Sequence, residues 1–227
     1  MSYAGYVLTH LKKDLQLEWR ARELINGMLF FALLVVVVFS LAFDPTAYPT
    51  IARQISGGLL WVGLLFASIT ALNQSWSREM HNNVLDAQRL APAPASALFT
   101  GKALANFIFV SFIELVMAPV FAIFYDLHPL GNAWLLLLIL PLGTWALTVN
   151  GTFFAALSLR TRNRELLLPL VLCPIAMPAL LAMIQATTNV LTADYPPSLW
   201  IKLLLGYDVV FTIASVLLFE TVLNAAD

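Results

Sequence analysis

Few residues in this 227-residue chain carry chemistry, and Glu114 stands in the least hospitable place for it. It lies in the middle of the apolar run from Phe99 to Tyr125. A charged carboxylate there costs on the order of 3 kcal/mol to insert into a bilayer, so it must face a bundle interior, water or a partner. The plainer reading is a protonated or hydrogen-bonded packing residue. Pro119, five residues on, removes a backbone donor and opens the helix nearby. Asp208 and Glu220 fall toward opposite ends of another apolar run, where interfacial solvation would account for them.

Catalytic patterns are missing. The Gly101-Lys102 pair is followed by Ala103 and has no glycine-rich loop before it, so the chain has no nucleotide-phosphate loop of its own. Neither H-E-x-x-H nor G-x-S-x-G occurs, nor a paired intramembrane Asp motif, which disfavours a hydrolase. The single Cys173 lies in an apolar run, which rules out an intramolecular disulfide and suits a small buried side chain.

The elements that must position these residues follow from composition. With 60% apolar and only 11% charged residues, a soluble chain of this length would lack polar surface, so the bilayer is its solvent. The expectation is an all-α integral membrane protein with six transmembrane helices at about 24–43, 57–76, 99–125, 134–159, 166–190 and 200–223, forming one domain. Lys12, Lys13, Arg20, Arg22, Arg78, Arg89, Lys102, Arg160, Arg162 and Arg164 fall on one side of these spans, against Arg53 and Lys202 on the other. The positive-inside rule then places both termini in the cytoplasm. No basic surface remains for nucleic acid. Trp200 and Tyr125, at the outer ends of their spans, fit an aromatic belt.

Residues 1–23 do not read as a cleavable signal peptide, since more than 20 charged and mixed residues precede the first apolar run. Leu8, Leu11, Leu15 and Trp19 form an apolar stripe, with Lys12, Lys13, Gln16 and Arg20 elsewhere on the wheel, as in an interfacial elbow helix lying on lipid. The longest connector on the charged side, 77–98, should contain a short amphipathic helix with Val84 and Leu85 on its apolar side, Asp86 spaced to pair with Arg89, and Pro92 and Pro94 ending it. It is either a polar loop or a docking helix that receives force from a soluble partner. In the fifth span Pro169, Pro174 and Pro178 argue for a bend or hinge, with freed carbonyls satisfied by neighbouring helices.

Several motifs, in order, cover nearly the whole chain: K-D-L-x-x-E-x-R from Lys13 to Arg20, G-L-L-W-V at Gly58 to Val62 with L-F-A at Leu65 to Ala67, and R-E-x-x-x-x-x-L-D-x-x-x-L-A-P from Arg78 to Pro92. They continue with Gly101-Lys102, N-G-T-F-F-A-A-L at Asn150 to Leu157 and R-N-R-E-L-L-L-P-L at Arg162 to Leu170. Together they resemble the CcmB family, the heme exporter permeases of cytochrome c maturation. One departure is Asn82-Asn83, where that family often has Gly; Asn also tolerates a left-handed backbone.

The resemblance implies an ABC-2-like permease subunit whose ATP is used by a separate CcmA-like ATPase, working beside CcmC-like and CcmD-like heme-handling partners in the bacterial cytoplasmic (inner) membrane. Heme is the substrate it implies; no bound cofactor or metal is expected. It also makes Arg78, Glu79, Val84, Leu85, Asp86 and Arg89 the docking surface for the ATPase. Direct heme ligation finds little support in the residues, because His10 and His81 read as solvated and His128 as a loop histidine beside Asp126. The Trp-rich signature of the CcmC family is missing around Trp134 and Trp145. A permease for another amphiphile, or a non-transporting scaffold that anchors an ATPase, fits the same residues.

Overall fold

A computed structural model describes residues 2–20, 22–81, 94–158 and 164–224, and the side chains of all of these except 22–24, 77–81, 164, 165, 223 and 224. Among the described residues there are seven α-helices and no strand: α1 Tyr3–Arg20, α2 Arg22–Phe43, α3 Pro49–His81, α4 Ala95–Phe124, α5 Leu136–Ser158 after a 3-10 turn at Ala133–Leu135, α6 Arg164–Thr192 and α7 Ser198–Asn224. Six of them, α2 to α7, are long and apolar enough to cross a membrane. The six-span expectation holds. An even number of spans puts both termini at one end of the bundle, called the terminal end below.

Several helices outrun the hydrocarbon core. The third starts at Pro49 rather than at Gly57, because proline fits the first helical position and the chain through Arg53 and Gln54 is already helical, so the apolar helix runs from Pro49 to Trp76. Helix α4 runs 30 residues and keeps Pro119 in its interior.

At the opposite end a residue with a left-handed backbone follows each of α2, α4 and α6: Asp44 (φ 39°) and Ala193 (φ 58°) directly, and Asp126 (φ 47°) after the capping Tyr125. Such a residue ends a helix by turning its last amide back onto a free carbonyl, as the Ala193 amide does onto Asn189 at 3.0 Å. The Asp44 carboxylate accepts from the Thr46 hydroxyl at 2.7 Å and from the Ala47 amide at 3.3 Å. These bonds, the Thr46 hydroxyl first, hold its carboxyl below the ordinary value of 3.8. The contribution of this exposed turn is therefore present above the ordinary carboxylate range and lost as pH falls through the lowered value.

Helix α3 is the hub. One face (Trp61, Leu64, Leu65, Leu72 and Trp76) enters a core shared with α4, α5, α6 and α7, and the other (Ala52, Ala67 and Ala71) packs with Met28, Ala32 and Val36 of α2 and with Phe109, Ile113 and Met117 of α4. In lipid there is no hydrophobic drive to associate, so close packing through small residues and interhelical hydrogen bonds must supply it. Gly143 of α5 illustrates this: a Cβ there would lie 2.2 Å from the Trp61 ring, whose indole N–H donates to Thr187 of α6 at 2.9 Å. Helix α2 is peripheral and turns Phe30, Val38 and Leu41 outward.

Two expectations about the ends need correction. Tyr125 is buried, its ring stacked on Phe121 at 4.4 Å, so it is no belt residue; Tyr48, Trp134 and Tyr195 are among the exposed aromatics at that end. Asp208 is 6% exposed, with both carboxylate oxygens buried and unpartnered, so interfacial solvation does not account for it. It faces inward because Leu204, Ser215 and Phe219, on the same side of α7, do. Glu220 is exposed, as expected.

Candidate functional site: a buried polar relay

At the terminal end, three helices meet around one buried lysine. Lys102, in the second turn of α4, is 1% exposed, and its ammonium lies 3.2 Å from Asp14 Oδ2 of α1. It also donates to Ser75 of α3, to the hydroxyl at 3.3 Å and the carbonyl at 3.4 Å, and sits 4.7 Å from the centroid of the Trp76 ring. A buried cation is tolerated only when paired and hydrogen-bonded, and every group here answers that need. Lys13 reaches the other oxygen of Asp14 at 3.2 Å.

The network continues into the bundle. Trp76 donates its indole N–H to the Thr152 carbonyl of α5 at 3.0 Å, and Asn106 of α4 donates to the Thr152 hydroxyl at 2.9 Å. Phe219 of α7 packs between Trp76 and Phe99, at ring distances of 5.8 and 5.0 Å. Gly101 is what lets α1 approach: a Cβ there would be 2.8 Å from His10 Cβ and 2.9 Å from the Val7 carbonyl.

Helix α1 thus turns Asp14 and Glu18 inward, both under 5% exposed, and leaves Leu8 and Trp19 outward at 62% each. The apolar stripe read from the sequence is its lipid-facing edge only in part, since Leu11 and Leu15 are half-buried. His10, expected to be solvated, belongs to the α1–α4 contact. Lys102, the lysine of the Gly101-Lys102 pair, lies within α4, where its charge is paired with Asp14.

Of the 77–98 connector expected to dock an ATPase, residues 77–81 continue α3 beyond Ser75 and Trp76 and residues 95–98 begin α4 ahead of Lys102, so the relay residues flank it in the chain. Val84, Leu85, Asp86 and Arg89 lie outside the described residues, and the side chains of Arg78 and Glu79, on the last turns of α3, are also outside them.

Deeper in the bundle, Glu114 is 5% exposed and accepts a hydrogen bond on Oε2 from the Thr144 hydroxyl of α5 at 2.6 Å. Its Oε1 is buried and unpartnered. On α6 the backbone stays helical through Pro169, Pro174 and Pro178. Three residues before Pro178, the Ile175 carbonyl accepts from the Tyr207 hydroxyl of α7 at 3.0 Å, and that hydroxyl also accepts from Asn150 of α5 at 3.2 Å. These bonds tie α6 to α7 and α5 beside its prolines. Among the described residues, Glu114 bonds to α5 through Thr144, whereas the bonds beside the three prolines run through Tyr207.

Sequence reasoning missed the Asp14–Lys102 pair, although both residues stand in the motifs that carry the family resemblance. The available signal was a lone lysine one turn inside an apolar helix. The CcmB protein family matches residues 6–224, nearly the entire chain and all of the relay. The chain belongs to the CcmB family. Similar proteins include the heme exporter protein B of Rhodobacter capsulatus, 36% identical over 75% of this chain and 77% of the relative. Those of Pseudomonas aeruginosa (33% identical, 71% of each chain) and Paracoccus denitrificans (32%, 75% and 77%) are similar as well. In CcmB terms, the buried relay is the most organised polar structure among the described residues.

Proposed function

We propose that this CcmB-family chain is the membrane-spanning permease subunit of an ABC-type complex that delivers heme for c-type cytochrome maturation. Its termini are in the cytoplasm, and its membrane is the bacterial cytoplasmic membrane. The observation that carries the reading is the family match over residues 6–224, joined to relatives named heme exporter protein B. The charge split between the two ends supports the orientation.

In this reading a CcmA-like ATPase hydrolyses ATP and docks on the connector through Val84 and Leu85, with Glu79, Asp86 and Arg89 at the rim. Nucleotide-driven closure moves the connector, and the relay passes that movement to α1, α3 and α4, which one buried lysine ties, and on to α5 through Trp76 and Asn106. A ligand-driven shift of this kind needs an element with two arrangements, and the proline-bearing α6 beside the hub is the candidate. CcmC-like and CcmD-like subunits handle heme next to it.

The cavities near Glu114 hold about 20 and 110 Å³, below the roughly 300 Å³ at which pockets for small organic ligands begin. In this conformation neither takes a porphyrin. The test is deletion of the gene followed by staining for covalently bound heme: c-type cytochromes should vanish while b-type cytochromes persist, and intact c-type cytochromes would reject the proposal.

A further inference from the structure

Glu114 faces two ways. Its Oε2 is tied to α5 through Thr144, whereas Oε1, buried and without a partner, belongs to a side chain that lines a cavity between α2, α3 and α4. Every other wall of that cavity is apolar, among them Val36, Leu64, Gly63 and Met117. An orphaned carboxyl oxygen against hydrocarbon is a costly arrangement unless something occupies the space beside it.

The size of the space limits what that is. About 20 Å³ exceeds the roughly 10–15 Å³ that admits one water and falls far short of any organic ligand. A second cavity of about 110 Å³ adjoins it, sharing Leu60, Ala118 and Phe121 as walls. This one reaches the end opposite the termini: Leu127 and Pro129 of the α4–α5 connector line it, with Ser56 and Thr187 as its hydroxyl-bearing walls. The outer end of this space is walled by Leu127 and Pro129, the buried hydroxyls of Ser56 and Thr187 stand inside it, and the Leu60, Ala118 and Phe121 neck leads to the lone carboxyl, a dead-end path for water.

We propose that Glu114 is a proton-binding site in the membrane interior, reached by water from the end opposite the termini through these two cavities. A proton delivered by water along the path adds to the carboxylate and leaves it neutral; on release it returns to the same aqueous side. No other titratable side chain lines either cavity. On the helices packed against α4, α2 and α3 present only apolar residues to the smaller cavity, with the half-buried Arg53 of α3 nearer the end opposite the termini, α1 turns Asp14 and Glu18 inward, α5 presents the uncharged Thr144, and α7 carries Asp208 on its inward face. On α4 itself Lys102 lies twelve residues before Glu114, about 18 Å along the axis, and is occupied by Asp14. Tyr125 lies eleven residues beyond, about 16 Å along the same axis.

The proposal does not depend on heme delivery, and its test reads the carboxyl directly. Infrared spectra of the protein in lipid nanodiscs, taken as wild type minus Glu114→Gln, should contain a carboxylic-acid carbonyl band that grows as the buffer is acidified and shifts when water is exchanged for D2O. Ala118→Phe, which fills the shared wall, should keep the band and lose its shift on the timescale at which the wild-type band moves. Ala122→Phe, one turn farther out in the larger cavity, serves the same purpose if the first variant does not fold. A difference spectrum with no such band, or a band indifferent to both buffer pH and D2O, overturns the site. Exchange as fast in the filled variants as in the wild type overturns the route.

Discussion

Lys102 shows how one side chain can hold a membrane protein's polar parts together. Removing its charge leaves Asp14 buried with Lys13 alone, and breaking a buried pair in this way costs about 3–5 kcal/mol, with the lower figure applying where a second cation remains. Lys102→Met should therefore lower the amount of folded protein, read as the monodisperse fraction after extraction in mild detergent. Adding Asp14→Asn removes the orphaned charge, so the double variant should recover part of the loss; no recovery would mean the two residues are not energetically coupled. Glu114 answers a different question. Glu114→Gln preserves the acceptor for Thr144 and should accumulate normally while impairing cytochrome c maturation, whereas Glu114→Leu should reduce both, and normal maturation in both variants would make the carboxyl incidental.

At the scale of elements, backbone geometry separates glycines that matter from those that do not. Gly101→Ala places a methyl group within 2.8 Å of His10 and 2.9 Å of a carbonyl of α1, an overlap relieved only by undocking that helix at about 1–3 kcal/mol. Gly206→Ala meets nothing within 4 Å and should be neutral or stabilising by about 0.4–1 kcal/mol. Thermal midpoints of the two variants, measured side by side in one detergent, check the contrast. Ala193 makes the converse case: its left-handed backbone after α6 suits glycine, so Ala193→Gly should raise stability by about 1 kcal/mol. The connector belongs to this scale too. Leu85→Asp would put an unpaired charge into the docking groove, and co-purification of the ATPase should fall sharply at matched membrane expression; undiminished co-purification would return the segment to a polar loop.

For the whole molecule, the spans were legible because an apolar run of bilayer length bounded by charge has few other meanings, and Phe99 to Tyr125 and Trp200 to Leu223 could be placed from that pattern alone. What periodicity could not reveal was which side of each helix faces protein. Tyr125 and Asp208 were assigned to the interface by depth, whereas their orientation buries them. Likewise α1 was read from its apolar stripe, while the face that docks is the acidic one, because in lipid a buried carboxylate with a lysine partner orients a helix more strongly than leucines that are equally content with acyl chains. Glu114 was found because its charge sits at mid-span, but its bond to Thr144 joins different helices and no single-segment pattern encodes it.

The central claim is that the Asp14–Lys102 relay carries movement from an ATPase-bound connector into the bundle. The most direct measurement is covalent heme staining of c-type cytochromes in cells whose only copy of this chain is the Asp14→Asn, Lys102→Met double variant, with membrane level and ATPase co-purification matched to wild type. Loss of stained c-type cytochromes while the ATPase stays bound is the predicted result; wild-type staining would contradict the claim.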